Sequence, residues 1–571
     1  MKLEKISIHS FRSIKDCTFI ISDILAIVGQ NNSGKSAVLR ALNCFFNFEH
    51  ERTSVKNGLH QYSGNSLAKI HLTFDDIPNK AIYANKLLPK KKMVVQCTFK
   101  IDSKEPSYKF KKGNKWVDVE PDFIDLLGKD IQFVYIPLSR DFKQAISTEQ
   151  TLLKKVLDSY LSKHTHKRDT LTPKVKDAAR YLNKNALAKI SHEIESNYLH
   201  SRNFSVSIDH SSEIDFRVLV EDLSVVIEEQ GKSFPLSECG SGVQSLINIA
   251  LYRYLATLNN SNVIFGVEEP EVNLHPQSQK EFLIELRKGI PHNIQALLTT
   301  HSPVIIDQLD HQSILLLRKV DDNTRIFRSE VRQLPNNFWV KHSLQRFKYE
   351  TFYKFRNSEF FYSKLVIAVE SKTDAEVYRK LLSDYEVNLE DYGVSFLTLD
   401  GTRNFQYAFS LLEELDIPRL FIVDKDFFFE YSNGKKENSR NPSGYFKYKK
   451  TFKGGSIISK LISSSTDRTS LEVLLHSNHS KANALLEKYD VICLDYNMEM
   501  DLIATAVARN KYFVELGVKA AKQTSKELLV TFKNRIKDLE VFIKVLNGIP
   551  HQNLPNTYKR IRNVIKKRAE A

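Results

Sequence analysis

At 571 residues, 42% hydrophobic and 26% charged, the chain has an ordinary globular composition with room for roughly two to four domains, so disorder is not the expected state. Its 83 lysines and arginines against 68 aspartates and glutamates leave a net charge of +15, which favours polyanionic partners such as nucleic acid or nucleotides. The five cysteines, Cys17, Cys44, Cys97, Cys239 and Cys493, form no CxxC pair, and no apolar run approaches the roughly 20 residues that span a bilayer; a disulfide framework, a zinc ribbon and a membrane partner are not expected, and the chain reads as cytoplasmic.

Residues 3–9 alternate as a strand, and Ile24-Leu25-Ala26-Ile27-Val28 is a short apolar run stopped by Gly29, the pattern of a buried strand in an α/β sheet. Helical spacing follows from Ser36 to Phe46. From about 65 to 135 the segments AKIHLTF, MVVQCTFKI and IQFVYIPL alternate as strands. Residues 145–200 are polar, lysine-rich and apolar at three-to-four spacing, which predicts a helical insertion. Strand character returns at 216–227 and at Asn262–Val267, with a helix at about 241–257 between them and another strand at Ile294–Thr299. A second series then opens, with strands at 364–369, 394–399, 419–423 and 490–494 alternating with helices such as 373–383 and 404–415. This alternation predicts a second α/β domain with a mainly parallel sheet.

The stretch Gly29-Gln30-Asn31-Asn32-Ser33-Gly34-Lys35-Ser36 fits GxxxxGK[ST] between a strand and a helix, as phosphate binding requires. Its glycines free backbone N–H groups, from Asn31, Asn32 and Ser33 on through Ala37, to wrap phosphates; Lys35 reaches the terminal ones and the Ser36 hydroxyl can ligate Mg²⁺. Downstream, the apolar strand from Asn262 ends in Glu268, Glu269 and Glu271. Glu268 is expected to hold the metal ion and Glu269 to orient the attacking water. Between them, Ser241 and Gly242 open a helix after a small-residue turn, a candidate second phosphate cradle, while Thr299-Thr300-His301 puts a histidine at a strand's carboxyl end.

The second series carries acids at the same kind of place. Glu370 ends one apolar strand just before a helix that holds Asp374, and Asp424 and Asp426 end a later one, LFIVDKD. Strand carboxyl ends of a parallel sheet face one crevice, so these carboxylates are expected to converge, and like charges so close call for a hard cation, Mg²⁺ or Mn²⁺. Glu499 and Asp501 follow the next strand and are candidates for a second ion; two ions about 4 Å apart would stabilise both oxygens in phosphodiester cleavage.

In sequence and order, the phosphate loop, the Ser-Gly helix start, EEPEVNLHP and TTHSP resemble the ABC-class ATPase heads of the RecF, Rad50 and SMC group. The resemblance implies ATP as cofactor, two heads sandwiching it, Ser241 and Gly242 touching the partner's γ-phosphate, and His301 as a switch histidine. The signature lacks the LSGGQ form and Glu268 stands where aspartate is commoner. A glutamate after one strand and DxD after a later one resembles the TOPRIM fold, with Ser371 in place of a usual glycine. A head followed by TOPRIM, with the approach EFFYSKLVIAVESKTD, resembles the OLD family of ATP-dependent nucleases.

That family implies an ABC-type head at 1–144 and 201–340, a helical dimerisation insertion at 145–200, and a TOPRIM nuclease domain at 341–571 ending in a basic helical segment. It implies an ATPase and metal-dependent DNA endonuclease in bacterial anti-phage defence, working on DNA as a homodimer or higher homo-oligomer, sometimes with a partner protein or nucleic acid encoded nearby. A downstream lysine is often part of the family's nuclease site, and Lys519, Lys522, Lys526, Lys533 and Lys537 are the candidates. The competing expectations are a RecF-like ATP-dependent DNA-binding protein without nuclease activity and a nucleotide-sensing subunit of a defence complex.

Overall fold

The apolar run Ile24–Gly29 lies inside a six-stranded sheet, paired in parallel with Ile294–Thr299 on one side and Ile314–Asp321 on the other, and every one of its residues is buried. A strand covered on both faces has no solvent side, which is why it reads without alternation. The computed structural model describes all residues except 58–66, 101–102, 104, 138–141, 193–224, 230, 273, 291–292, 322–326, 349–357, 385–386, 390 and 571. Two compact units, Met1–Val331 and Arg332–Ala571, each carry a core of their own.

In the first unit the sheet order is Phe327–Gln333, Ile314–Asp321, Ile24–Gly29, Ile294–Thr299, Asn262–Glu268 and Ile131–Ile136. A second, antiparallel sheet pairs Lys2–Phe11 with Ile14–Ile20 and Ala68–Asp75 and continues through Met93–Phe99, Ser107–Lys112 and Lys115–Asp118. Its inward residues Ala68, Ile70, Leu72 and Phe74 share a core with Val38, Leu39, Leu42 and Phe45 of the helix Lys35–Phe46, so this sheet clamps the helix that follows the phosphate loop. The expected insertion contains the helices Phe142–Lys163 and Thr165–Leu182; its residues 193–200 lie outside the described residues. So does most of the strand expected at 216–227, of which Val226 onward forms a hairpin strand, Val226–Glu229, with Lys232–Pro235.

The second unit holds a four-stranded sheet, all parallel, in the order Val394–Thr398, Leu365–Val369, Arg419–Val423 and Val491–Cys493. One face buries Ile367, Val369, Ile422 and Ile492 with Tyr378 and Leu382 of the helix Lys372–Ser383 and Tyr558 and Ile561 of the helix Asn556–Glu570. On the helix Phe405–Glu414, Phe405 and Phe409 lie 4.4 and 6.1 Å, ring to ring, from Phe421. After Arg419–Val423 comes an antiparallel hairpin, Phe429–Tyr431 with Tyr448–Phe452, which alternation alone did not predict. Among the described residues no helix is long and apolar enough to cross a membrane.

Candidate functional site

Two constellations form, one in each unit. In the first, the loop from Gly29 to Ser36 turns from the central strand into the helix Lys35–Phe46. Gly29 has φ +142 and a Cβ there would lie 2.0 Å from the Leu317 carbonyl oxygen; Gly34 has φ +100 and its Cβ would meet Ser329 Oγ at 2.5 Å and Ser13 Oγ at 2.7 Å. Both positions therefore admit only glycine. Lys35 Nζ lies 3.0 Å from the carbonyl oxygens of Gly29 and Gln30, on the loop it is expected to complete. Burial lowers its pKa, with Glu269 and Glu271 acting in the opposite sense. Asn31, Asn32 and Ser36 are exposed, while Ser33 and Ala37 are buried beneath the loop.

Glu268 closes the strand Asn262–Glu268 and pairs in register with Thr299 of the neighbouring strand. Glu269 then turns with φ +41, a left-handed conformation that costs about 1–2 kcal/mol for a residue with a Cβ. Its backbone N–H donates to the Thr299 carbonyl at 2.9 Å and hydroxyl at 3.2 Å, which holds the turn against the strand Ile294–Thr299. His301 Nε2 stands 4.0 Å from Glu269 Oε1, and the His301 backbone N–H donates to Glu271 Oε1 at 2.6 Å. Burial lowers the His301 pKa, and Lys35 adds to this. Lys35, Glu269, Glu271 and His301 thus gather at one loop. Glu271, given no role from sequence, is the residue that fixes the histidine's backbone. Ser241 and Gly242 begin the helix Ser241–Asn259 behind the N-cap Gly240, and their side chains lie outside the described residues.

In the second unit, Glu370 follows Leu365–Val369 and Asp424 follows Arg419–Val423, adjacent parallel strands whose carboxyl ends point the same way. The short turn Lys425–Phe427, begun at Asp424, brings Asp426 back to the same place. One carboxylate oxygen from each of Glu370, Asp424 and Asp426 lies within 4.8 Å of the others. Burial first, then the neighbouring acids, push Glu370 up to about 6 and Asp424 well above the carboxylate range. Asp426 Oδ2 accepts from the Tyr431 hydroxyl at 2.7 Å, while its Oδ1 is buried with no hydrogen-bond partner. Three convergent carboxylates with an orphaned oxygen fit a hard divalent cation, which neutralises the group and satisfies that oxygen.

Three expected ligands are placed differently. Asp374 stands outside the set of three: its Oδ2 accepts from the Ser371 backbone at 2.9 Å while the Ser371 hydroxyl accepts from its own N–H, a reciprocal cap on the helix Lys372–Ser383. Ser371 has φ −134, so the turn there requires no glycine. Asp501 is held by the protein itself: its two oxygens accept from the backbones of Asp495 and Tyr496 and from the Thr557 hydroxyl, each at 2.9 Å, so it ties a loop to the last helix. Burial and Asp495 push it up to about 7 against those bonds. Glu499 is buried and paired with Lys537 Nζ at 2.7 Å, near enough to Asp424 to raise its pKa further. Burial would lower the Lys537 ammonium, but Glu499, Asp424 and Asp374 together hold it above its ordinary value. Lys537 is thus the candidate lysine that stands at the acidic group; five similar lysines in a helical tail gave sequence no way to choose.

Comparisons with known proteins agree with this division. The model of the AAA ATPase domain matches residues 1–125 and 107–306, and that of the overcoming lysogenization defect (OLD) protein-like TOPRIM domain matches residues 361–426, which contain Glu370, Asp424 and Asp426. An OLD nuclease of Thermus scotoductus is 26% identical over 205 residues, 36% of this chain and 38% of that protein. The endonuclease GajA of Bacillus cereus is 22% identical over 75% of both chains, and the Old nuclease of Escherichia phage P2 is 23% identical over 75% of this chain and 78% of its own. The chain therefore spans less than half of the first of these relatives and about three quarters of the other two. Matched over more than half of its length, the chain belongs to the AAA ATPase domain family, and behind that domain it carries a segment homologous to the TOPRIM domain of OLD-like proteins.

Proposed function

We propose that the protein is an ATP-regulated, divalent-metal-dependent DNA endonuclease acting in bacterial defence against phages. The observation that carries this is the convergence of Glu370, Asp424 and Asp426 within 4.8 Å, in a chain that also carries a complete phosphate loop. The relatives named as nucleases support the reaction class. At the acidic centre a bound Mg²⁺ or Mn²⁺ would supply the charge that stabilises the attacking and leaving oxygens of a phosphodiester. Glu370, Asp424 and Asp426 would hold it, with the Asp426 carboxylate fixed through Oδ2 by the Tyr431 hydroxyl. Lys537, kept charged by Glu499, places an ammonium where negative charge grows on the phosphate.

At the head, Lys35 and the loop amides would bind the ATP phosphates, Ser36 and Glu268 would hold the Mg²⁺ that neutralises them, and Glu269 and His301 would serve the hydrolysis of the terminal phosphate. Ser241 and Gly242 complete the site of a second copy, and the helices within 145–200 mediate that pairing, so the working form is a homodimer or larger. The head occupies 1–144 and 201–340, and the nuclease domain 341–571.

The test is a plasmid-cleavage assay on wild type, Lys35→Ala and Asp424→Ala, each with and without ATP and Mn²⁺. Wild type is expected to nick or cut with the metal, Asp424→Ala to be inert, and Lys35→Ala to lose the response to ATP. Cutting that survives Asp424→Ala and Asp426→Ala together removes the acidic centre from the reaction. Cleavage by Lys35→Ala that matches wild type at every ATP level removes control by the head.

A further inference from the structure

The hairpin that follows Asp426 is more than a connection. Its underside is apolar: Phe428 and Phe429 lie 5.4 and 5.1 Å, ring to ring, from Phe452, and Phe429 lies 4.4 Å from the His476 ring. Its tip, residues 432–447, is built rather than loose. Ser439, fully buried, accepts from the Asn433 N–H at 2.9 Å and donates to the Lys435 carbonyl at 2.8 Å, and the Lys447 N–H donates to the Ser439 carbonyl at 2.7 Å. Arg440 stacks its guanidinium 4.4 Å from the centre of the Phe446 ring.

On this scaffold, residues 430–453 carry seven basic side chains against two acidic ones, Glu430 and Glu437. Lys449 is paired with Glu430 at 2.5 Å, and Lys453 reaches back to the backbone carbonyl of Asp426 itself. Lys435, Lys436, Lys447 and Lys450 are exposed, and among the described residues none of them has a carboxylate within ion-pair distance. Concentrating like charges on one ordered hairpin is unfavourable unless a polyanion meets them. The ordered tip and the Tyr431–Asp426 hydrogen bond keep that basic surface in fixed relation to the acidic centre.

We propose that the hairpin Phe429–Phe452 is a phosphate-backbone clamp, on which Lys435, Lys447 and Lys450 hold the DNA strand that enters the acidic centre. This rests on the assignment of that centre to DNA cleavage. DNA is favoured over an acidic protein because the surface continues directly from a candidate metal ligand and presents lysines, which suit repeated point charges along a backbone without reading sequence.

The experiment uses the full-length chain in an Asp424→Asn background, which binds without cutting, and a fluorescent random-sequence duplex titrated at 50, 100 and 200 mM KCl. Replacing Lys435, Lys447 and Lys450 with alanine together is expected to raise Kd at least tenfold at 100 mM and to shallow the log–log salt slope by about 2–3, near 0.9 for each phosphate no longer neutralised. The matching triple arginine variant is expected to keep the wild-type slope, which separates charge from misfolding. An alanine variant with unchanged Kd and slope overturns the clamp. Asp424-dependent cleavage with an unchanged slope removes the clamp and leaves the nuclease; a shallower slope in a protein that never cuts DNA leaves the clamp and removes the nuclease.

Discussion

The Tyr431 hydroxyl donates to Asp426 Oδ2 at 2.7 Å, while Asp426 Oδ1 is buried with no hydrogen-bond partner. The bond holds the carboxylate in place. Tyr431→Phe removes it while keeping the ring that stacks on Tyr448 at 5.2 Å. The fold is expected to lose only about 1 kcal/mol, the net worth of one hydrogen bond. Cleavage at limiting Mn²⁺ is expected to fall about tenfold and to recover in part as Mn²⁺ is raised, because the loosened carboxylate binds the ion less well. Mn²⁺ titrations of the initial cleavage rate check this, and a wild-type titration curve removes Tyr431 from the site.

Burial first pushes Glu370 and Asp374 up to about 6 and Asp424 well above its ordinary value; Asp426 and Asp374 then add to the rise of Glu370, Glu370 and Asp374 to that of Asp424, and Glu499 to that of Asp374, against its bonds to Ser371. Folded pKa values above the unfolded ones mean that Glu370 and Asp374 contribute stability fully below about pH 4 and lose it as the pH rises through about 6, and Asp424 loses its share in the same direction. In EDTA, Asp424→Asn is therefore expected to melt about 3–6 °C above wild type at pH 7.5, with the gap closing at pH 5. Mn²⁺ is expected to raise the wild-type melting point at pH 7.5, to do so less at pH 5 where protons compete, and to leave Asp424→Asn unmoved. Thermal scans at the two pH values decide it; a gap that widens at pH 5 reverses the sign of the electrostatics.

Why Glu370, Asp424 and Asp426 were legible in sequence while Tyr431 and Lys537 were not follows from how each is placed. The three acids sit at the ends of unbroken apolar strands, and a parallel sheet fixes where such ends meet, so period and punctuation sufficed. The same held for Gly29 to Ser36. Tyr431 and Lys537 reach the centre from a hairpin and a helical tail, through contacts that depend on tertiary packing rather than on spacing. Asp501 marks the limit of such a reading: an acid just past a strand looks the same in sequence whether it meets a cation or the two backbone N–H groups and threonine hydroxyl that Asp501 accepts from.

Lys537 is the only one of the five candidate lysines whose ion pair ties it to the acidic centre in the described residues, through Glu499 at 2.7 Å. Lys537→Met keeps the length of the stem and removes the charge. It is expected to lower single-turnover cleavage at least about 100-fold, the scale seen when one preorganised charge is removed from a transition state. The Mn²⁺-dependent rise in melting point is expected to persist, since the three ligands are intact. Lys533→Met serves as the comparison, and equal losses from the two variants would place the charge effect on the surface instead.

Asp501 is expected to behave as a structural acid. Asp501→Ala strands two backbone N–H groups and the Thr557 hydroxyl in a buried loop, which should cost about 3 kcal/mol. Asp501→Asn keeps an acceptor and should cost less. If Asp501 does not hold an ion, Asp501→Asn keeps both Mn²⁺ binding and cleavage at a temperature where it is folded; loss of Mn²⁺ binding in a folded Asp501→Asn protein would restore it to the ligand set.

Gly34 separates two ways of breaking the phosphate loop. A Cβ at this position meets a left-handed backbone, φ +100, and two hydroxyls at 2.5 and 2.7 Å, those of Ser329 and Ser13, which are themselves 2.8 Å apart. Gly34→Ala is therefore expected to weaken ATP binding at least about 100-fold, measured with a fluorescent ATP analogue, with little change in the cleavage centre's response to Mn²⁺. Removing the hydroxyls as well, in Gly34→Ala with Ser13→Ala and Ser329→Ala, relieves the clash but leaves the backbone strain, which for a residue with a Cβ is worth about 1–2 kcal/mol. Partial recovery, to within about 10–30-fold of wild type, is the expected result. Full recovery would mean that side-chain crowding alone keeps glycine here, and no loss in the single variant would mean that ATP phosphates do not sit in this loop.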